Sequence, residues 1–148
     1  MQTFLPYTDP LKCAEVLDNK RLGKQRVEAI QILQILTGIK KDSKWKNHPA
    51  VKMWKGYESF LLWVYLGNIL QEWEDRGYAN VLCIDHFVAL HRKLNSLGLR
   101  YKDIKAPSWL TEDFCRHHQS NLIRKNPTYY GPLFPGVPYN LPYIWPVK

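Results

Sequence analysis

A single acidic residue follows a run of cations in the stretch "DNKRLGKQRVEAIQIL", which covers residues 18–33. At 100° per residue this acid, Glu28, shares one face of a helix with Arg21, Lys24 and Gln25. Such a carboxylate can simply pair with neighbouring cations at the surface, which stabilises a helix by only about 0.2–0.5 kcal/mol. It can instead move protons or stabilise positive charge within a surface that binds anions. The residues alone leave both interpretations open.

A second polar stripe is predicted late in the chain, where His118, Asn121 and Lys125 recur at helical spacing. Arg124 lies beside them, and the pair Tyr129–Tyr130 follows. Cations combined with amides and aromatic rings suit phosphate contacts together with stacking on an unpaired base. The alternative is a capped helix end at which basic side chains complement the helix dipole.

The overall charge agrees with a polyanionic partner but does not prove one. The chain has 148 residues, and its 21 Lys and Arg against 13 Asp and Glu give a net charge of +8. Basic proteins of this kind can bind nucleic acid by neutralising phosphates and releasing counterions. We expect the phosphate contacts to come from five cations: Arg21, Lys24, Arg26, Arg124 and Lys125.

Metal chemistry has weaker support in the sequence. The five histidines, His48, His86, His91, His117 and His118, could be imagined in a metal-dependent nuclease, but they lack a carboxylate-rich cluster. We therefore expect no metal site. The three cysteines, Cys13, Cys83 and Cys115, form no CxxC or CxxH pair, and we expect buried free thiols.

The elements that must position these residues are predicted to be helices. Asp9–Pro10 and Asp18 are helix starts, Gly38 is a helix end, and the apolar residues after Asp18 recur at helical spacing. Further helices are expected within 50–77, with a break at Gly56 and an end at Gly77, and within 85–98 and 111–126. No alternation typical of strands competes with them.

The fold class predicted is therefore all-α, as one compact domain spanning residues 1–148. The helical body would cover residues 1–131. The proline- and aromatic-rich residues 132–148 would form an extended tail over its surface, since proline disfavours both helix and sheet. We expect no membrane span and no signal peptide, and hence a cytoplasmic, nucleoid-associated protein. We also expect a monomer.

Several separated blocks give the chain a family resemblance. "RLGKQRVEA" resembles a helical segment in which a catalytic glutamate follows a leucine by six residues, a spacing that maps this glutamate onto Glu28. "HPAVKMWKGYESFLLWV" with "EWEDRGY" is similar to the middle helix of the same family, and "HQSNLIRKNPTYYG" to its last helix and following turn. The family is that of the pyrimidine-dimer DNA glycosylases of the endonuclease V type, first described from a T-even phage.

The resemblance implies an all-α DNA-repair glycosylase with associated AP-lyase activity that attacks the sugar C1′ with its N-terminal α-amine. Glu28 would assist by stabilising charge and moving protons, with its neighbouring cations keeping it ionised. Residue 2 is Gln, before which an initiator Met is usually retained, so the nucleophile would be the amine of Met1. No cofactor would be needed.

The expected partner is double-stranded DNA that contains a damaged base, such as a pyrimidine dimer, or an abasic site. The family's arginine in the last helix aligns with Asn121, although its lysine matches Lys125. The alternative function is a non-catalytic nucleic-acid-binding module on the same fold. The complete set of expected DNA-binding residues adds Gln25 and His48 to those above: Arg21, Lys24, Gln25, Arg26, His48, His118, Asn121, Arg124, Lys125, Tyr129 and Tyr130.

Overall fold

A computed structural model describes residues 1–147 of the chain, and the predicted all-α class is confirmed. This part of the chain contains α-helices, one π-helical segment and one short 3₁₀ turn, and no β-strand. The α-helices are α1 (Pro10–Val16), α2 (Asn19–Leu36), α3 (Pro49–Lys52), α4 (Gly67–Asp75), α5 (Val81–Ser96), α6 (Glu112–Lys125) and α7 (Pro127–Tyr130). The π-helical segment is Phe60–Leu66, and the 3₁₀ turn is Tyr101–Asp103.

Two of the predicted helix starts have the expected capping bonds. The Asp9 side chain accepts from the Leu11 N–H at 3.0 Å, and Pro10 takes the first helical position, where no N–H is needed. The Thr111 hydroxyl accepts from the Phe114 N–H at the start of α6. The start of α2 differs, because Asp18 makes no side-chain capping bond and is used elsewhere.

The helix expected within residues 50–77 is divided into three pieces. Gly56 has a φ of +90°, a conformation that other residues avoid, and separates α3 from the rest. The π-helical turn Phe60–Leu66 then runs directly into α4. Helix α4 ends before Gly77, which has a φ of +92°. The π turn was not predicted from the sequence, since its apolar spacing resembles that of an ordinary helix.

Helix α2 lies at the centre of the packing. Its apolar residues, such as Leu22 and Leu33, are fully buried, and the helix contacts α3, the π-helical segment, α4 and α5. The buried side chains form one continuous hydrophobic cluster. It also includes Leu5 of residues 1–9, which we call the N-terminal segment, and Phe134 of the tail. This burial of apolar surface is the main force holding the helices around α2.

The tail is irregular but more closely packed than predicted. Pro127–Tyr130, within the predicted helical body, forms the short helix α7. The sequence predicted no separate helix there, but Pro127 can occupy the first helical position. From residue 131 to 147 the chain has turns and no helix. Phe134 is buried, and the Tyr143 hydroxyl donates to the Thr3 carbonyl at 2.7 Å, so the tail is bonded to the N-terminal segment.

Neither α2 nor any other helix in residues 1–147 is long and apolar enough to cross a membrane. All three cysteines are free thiols, with Cys13 and Cys115 buried and Cys83 partly exposed.

A tight contact between α2 and α4 yields a test of the fold. A Cβ atom placed at Gly23 would lie 3.0 Å from the Trp73 ring. That ring is held by stacking on Tyr78 at 4.3 Å and by a bond from its N–H to the Ala79 carbonyl. We expect Gly23→Ala to lower the free energy of unfolding by about 1–3 kcal/mol despite the better helix propensity of alanine. Chemical denaturation followed by circular dichroism measures this.

Gly67→Ala is the matched control, because a Cβ there meets nothing closer than the Leu62 carbonyl oxygen at 3.8 Å. This variant should be as stable as the wild type or more stable by up to about 1 kcal/mol. Equal effects at the two glycines would contradict the close contact with Trp73.

Candidate active site

The N-terminal segment is inserted between helices and is held by one buried side chain. Gln25, which is 1% exposed, accepts from the Phe4 N–H at 3.0 Å and from the Tyr65 hydroxyl at 2.6 Å through Oε1. Its Nε2 donates to the Gln2 carbonyl at 3.1 Å and to Glu28 Oε2 at 3.0 Å. One amide therefore fixes the backbone of the N-terminal segment and the catalytic candidate on α2 together.

Further bonds fix the residues that follow. The Trp54 indole N–H donates to the Thr3 hydroxyl, and the Leu5 N–H donates to Nδ1 of His118 at 2.9 Å. The Pro6 carbonyl accepts from the side-chain amide of Gln119 at 2.7 Å. Buried backbone groups that are paired in this way restrict the movement of the segment.

Glu28 is buried beside the start of the chain. The residue is 9% exposed, and its Oε2 accepts from the Gln2 N–H at 3.3 Å. It makes no ion pair, since the two in residues 1–147 are Arg21–Asp18 and Arg76–Glu72. A solvated surface pair is therefore not its role in this structure.

The pKa of Glu28 shifts in the direction opposite to the one that neighbouring cations alone would produce. Burial raises the pKa of Glu28 above the ordinary value for a glutamate. The Gln2 N–H, the charge of the N-terminal amine, Lys24 and Gln25 each act in the opposite direction, but the loss of hydration has the larger effect. A raised pKa makes the Glu28 carboxylate a stronger base than that of an ordinary glutamate, which suits proton transfer.

A cationic depression opens over this carboxyl. It has a volume of about 180 Å³ and is lined by residues from the N-terminal segment, α2 and the end of α6. Lys24 and Lys125 are exposed there, and the Lys125 ammonium lies 5.9 Å from the centre of the Phe4 ring. The lining residues are Gln2, Phe4, Lys20, Arg21, Lys24, Gln25, Glu28 and Lys125. The structure thus brings together Glu28 and four cations around the N-terminal segment.

His48, at the start of α3, is another of the residues expected to bind DNA. Its Nδ1 accepts from the Ala50 N–H at 3.0 Å and caps α3, so the neutral ring carries its proton on Nε2. Burial and the positive charge of the N-terminal amine both lower the pKa of His48. The charge of the amine therefore affects the pKa of both His48 and Glu28.

Two of the expected phosphate-binding arginines are engaged within the protein. Arg26 stacks on Trp73 with its guanidinium carbon 4.1 Å from the ring centre, and it donates to Asn80 Oδ1 at 2.9 Å. Arg124 donates to the carbonyl of Tyr139 at 2.6 Å and to Asn121 Oδ1 at 2.7 Å. Arg26 therefore joins α2 to the α4–α5 connection, and Arg124 holds the tail.

The predicted surface position of His118 and Asn121 is wrong. His118 is fully buried, between the stacked Tyr143 ring at 4.5 Å and the Phe114 ring at 4.2 Å. Asn121 is 9% exposed, and its amide donates to the His117 carbonyl. Helical spacing put both residues on one stripe of α6, but that stripe faces the N-terminal segment and the tail.

The Tyr129–Tyr130 pair does not form an exposed stacking surface. Tyr130 is fully buried, and its hydroxyl is bonded to the Asp18 carboxylate and backbone N–H, which explains why Asp18 does not cap α2. Tyr129 is 40% exposed, and its hydroxyl donates to the Val16 carbonyl at 3.0 Å. Both hydroxyls tie α7 to the end of α1 and the start of α2.

Several residues near the amine were not identified from the sequence. Tyr65 and Trp54 position the N-terminal segment through bonds across more than 50 positions in the chain. Trp45 and Trp145 flank His48. Local periodicity contains no signal for such distant contacts. Among residues 1–147, no three or more His, Cys, Asp or Glu side chains are grouped closely enough to hold a metal ion.

Comparison with protein families identifies the class to which this arrangement belongs. The family model described as pyrimidine dimer DNA glycosylase matches residues 1–85, which include the N-terminal segment, Glu28 and His48. The chain belongs to this family and is therefore a DNA-repair enzyme of the glycosylase and AP-lyase class. No curated protein and no solved structure matches the chain significantly.

The buried His118 ring gives a testable dependence of stability on pH. Burial lowers its pKa from 6.5 to about 3. Between these values the unfolded chain binds a proton that the folded chain excludes, so stability must fall as the pH falls. The loss from this group is about 1.4 kcal/mol per pH unit below about pH 6. His118→Gln retains an acceptor for the Leu5 N–H but cannot titrate.

We expect the wild type to lose stability more steeply than His118→Gln between about pH 6 and about pH 4. Urea unfolding at a series of pH values measures both slopes, and the difference between the proteins cancels the titration of the other groups. Parallel curves would show that the His118 ring can be protonated without unfolding.

Proposed function

We propose that this enzyme removes a damaged base from duplex DNA and then cleaves the strand, using the α-amine of Met1 as nucleophile and Glu28 as its proton-transfer partner. The observation that supports this most is the bond between the Gln2 N–H and Glu28 Oε2, which keeps the carboxyl within one residue of the amine. A pyrimidine dimer is the proposed lesion, in keeping with the family that matches residues 1–85.

The chemistry needs a free amine and a group that handles protons. In its neutral form the amine attacks C1′ of the sugar, and the base departs with the electrons of the glycosidic bond. Loss of a proton from the resulting ammonium, and protonation of the ring oxygen as the C1′–O4′ bond breaks, give an iminium ion. Removal of a C2′ proton then expels the 3′ phosphate and breaks the strand.

Glu28 suits these steps because of its environment. Its carboxylate form can accept protons from the amine and stabilise the positive charge that develops on the sugar and nitrogen. The raised pKa of Glu28 favours the protonated form more than in an ordinary glutamate, and that form can donate a proton. Burial keeps water away from the carboxyl, which strengthens its interaction with a nearby positive charge.

The cations around the depression would hold the DNA backbone. Lys24 and Lys125 are exposed, and their ammonium groups make no hydrogen bond or ion pair within residues 1–147, so both are available to phosphates. Lys20 and Arg21 line the same depression, although Arg21 shares its charge with Asp18 at 3.1 Å. Gln25 contributes indirectly, because its buried amide holds the N-terminal segment in position.

Replacing Glu28 tests the proposed chemistry. Glu28→Gln preserves shape while removing the charge and the proton-transfer capacity, so the variant should fold and bind DNA but cleave at least about 100-fold more slowly. Cleavage of ultraviolet-irradiated and abasic duplexes is measured on denaturing gels. Glu74→Gln, which changes an exposed glutamate on α4, is the matched control and should cleave normally.

The nucleophile is tested separately by trapping. Borohydride reduces an imine to a stable amine, so wild-type protein should become covalently attached to an abasic duplex. Acetylation of the α-amine should abolish this adduct, and peptide mass mapping should place the DNA on Met1. An adduct on a lysine side chain, or none on a substrate that the enzyme cleaves, would refute the role of the amine.

The proposed DNA contacts predict a dependence on salt. Each phosphate contact that is lost should reduce the slope of log K against log salt by about one unit. The double variant Lys24→Gln, Lys125→Gln should therefore bind duplex DNA with a slope smaller by about two units. The control pair Arg92→Gln, Lys102→Gln removes the same charge from exposed positions outside the depression. An equal change of slope in both double variants would show that net charge, and not the position of Lys24 and Lys125, determines the binding of DNA.

A further inference from the structure

Three aromatic rings from distant parts of the chain form a cluster beside the reactive end. His48 lies between two indole rings, with centroid distances of 5.4 Å to Trp45 and 5.4 Å to Trp145. Trp45 belongs to the loop between α2 and α3, whereas Trp145 belongs to the tail. Tyr143 packs behind Trp145 at 4.3 Å. We refer to Trp45, His48 and Trp145 as the aromatic cluster.

The aromatic cluster is linked to the residues that follow the N-terminal amine. The positive charge of that amine also lowers the pKa of His48, the central ring of the cluster. The Tyr143 hydroxyl donates to the Thr3 carbonyl at 2.7 Å, so the chain that carries Trp145 is bonded to the residues that follow the amine. A nucleotide whose sugar reaches the amine would therefore also reach these rings.

Trp45 is not needed to complete the core. Its side chain is 39% exposed, although an indole gains free energy from every part of its surface that is removed from water. The Lys44 ammonium lies 5.4 Å from the ring centre, in the position of a cation over a π face. An exposed ring with a cation at its face is a common arrangement for binding an unpaired base and its phosphate.

The same loop is rich in lysines. Asp42 is the only acid between residues 39 and 48, and the lysines there are all exposed: Lys40, Lys41, Lys44 and Lys46. A surface of this charge favours a polyanion over an acidic or neutral small molecule as the occupant. Aromatic rings interleaved with lysines favour a single-stranded or unpaired nucleotide in particular.

We propose that the aromatic cluster receives a base left unpaired at the reacting site, with the Trp45 ring as the surface on which that base stacks. The proposal rests on the proposed function, because it assumes that a sugar is brought to the amine of Met1. It replaces Tyr129–Tyr130, whose hydroxyls are bonded within the protein, as the stacking surface. His48 packs against the Trp45 ring, and Trp145 packs against His48.

The test uses a duplex in which a tetrahydrofuran abasic analogue lies opposite 2-aminopurine, and the fully paired duplex as reference. Tetrahydrofuran has no hydroxyl at C1′ and forms no imine, so binding is measured without chemistry. Wild-type protein should prefer the first duplex and should quench the emission of 2-aminopurine by stacking. Trp45→Leu, which keeps apolar bulk without a π face, should reduce the preference on the order of tenfold and relieve the quenching.

Two variants separate stacking from folding and from general aromatic content. Trp45→Phe should restore most of the preference, because phenylalanine retains a ring on which a base can stack. Tyr101→Ala removes an aromatic ring that is 68% exposed and packs on Trp63, and it should bind as the wild type does. Thermal melting of each variant is recorded, and the Leu and Phe variants should melt at similar temperatures.

The results distinguish this proposal from the proposed function. Wild-type preference and quenching in Trp45→Leu would overturn the stacking role, even if borohydride trapping on Met1 succeeds. Loss of preference in both the Leu and the Phe variant would also overturn it, since a packing role is then sufficient. Reduced preference in Trp45→Leu with rescue in Trp45→Phe would support the stacking role even if no adduct forms on Met1.

Discussion

The side-chain amide of Gln25 is the interaction on which the arrangement of the site depends. An amide offers both donors and acceptors, and here these are directed in opposite directions from one buried position on α2. Its oxygen binds the Phe4 N–H, while its nitrogen binds the Gln2 carbonyl and the Glu28 carboxylate. A buried polar group of this kind costs several kcal/mol if its partners are lost, so the segment has one strongly preferred position. The order of the start of the chain is therefore set by a helix in its interior.

The environment of Glu28 shows how burial and charge compete. A glutamate on a cationic surface should have a lowered pKa, yet the pKa is raised because loss of hydration exceeds the attraction of the amine and Lys24. The Lys24 ammonium, by contrast, is exposed and lines the depression that we propose as a site for phosphate. The protein thus separates the cations that contact solvent from the carboxyl that is shielded from it.

The sequence predicted the elements better than the faces they bury. Capping residues such as Asp9 and Thr111 and the glycine at Gly38 correctly marked helix ends, because these signals act within a few residues. Helical spacing also placed His118 and Asn121 on one stripe, which exists in the structure. It could not show that this stripe is covered by the N-terminal segment and the tail. His118 binds the Leu5 N–H and stacks on Tyr143, and both partners lie more than 20 positions away in the sequence.

The sequence predicted part of the candidate site, because helical spacing also indicates which polar residues share a face. Glu28, Lys24 and Lys125 surround the depression as the polar faces of α2 and α6 suggested. Arg26 and Arg124 have the same charge and similar spacing, but an adjacent Trp73 and an adjacent tail carbonyl turn them into structural groups. Only the three-dimensional neighbours decide whether an arginine contacts a ring, a carbonyl or a phosphate.

The bond between Tyr143 and Thr3 has a consequence for synthesis on the ribosome. The residues around Thr3 emerge first, yet the hydroxyl that holds them is translated 140 positions later. Contacts over such separations form late, because the intervening chain must first be ordered. The lysines of α2 would be synthesised long before the N-terminal segment is fixed in place. Complete assembly of the depression around Glu28 would then coincide with the last stage of folding.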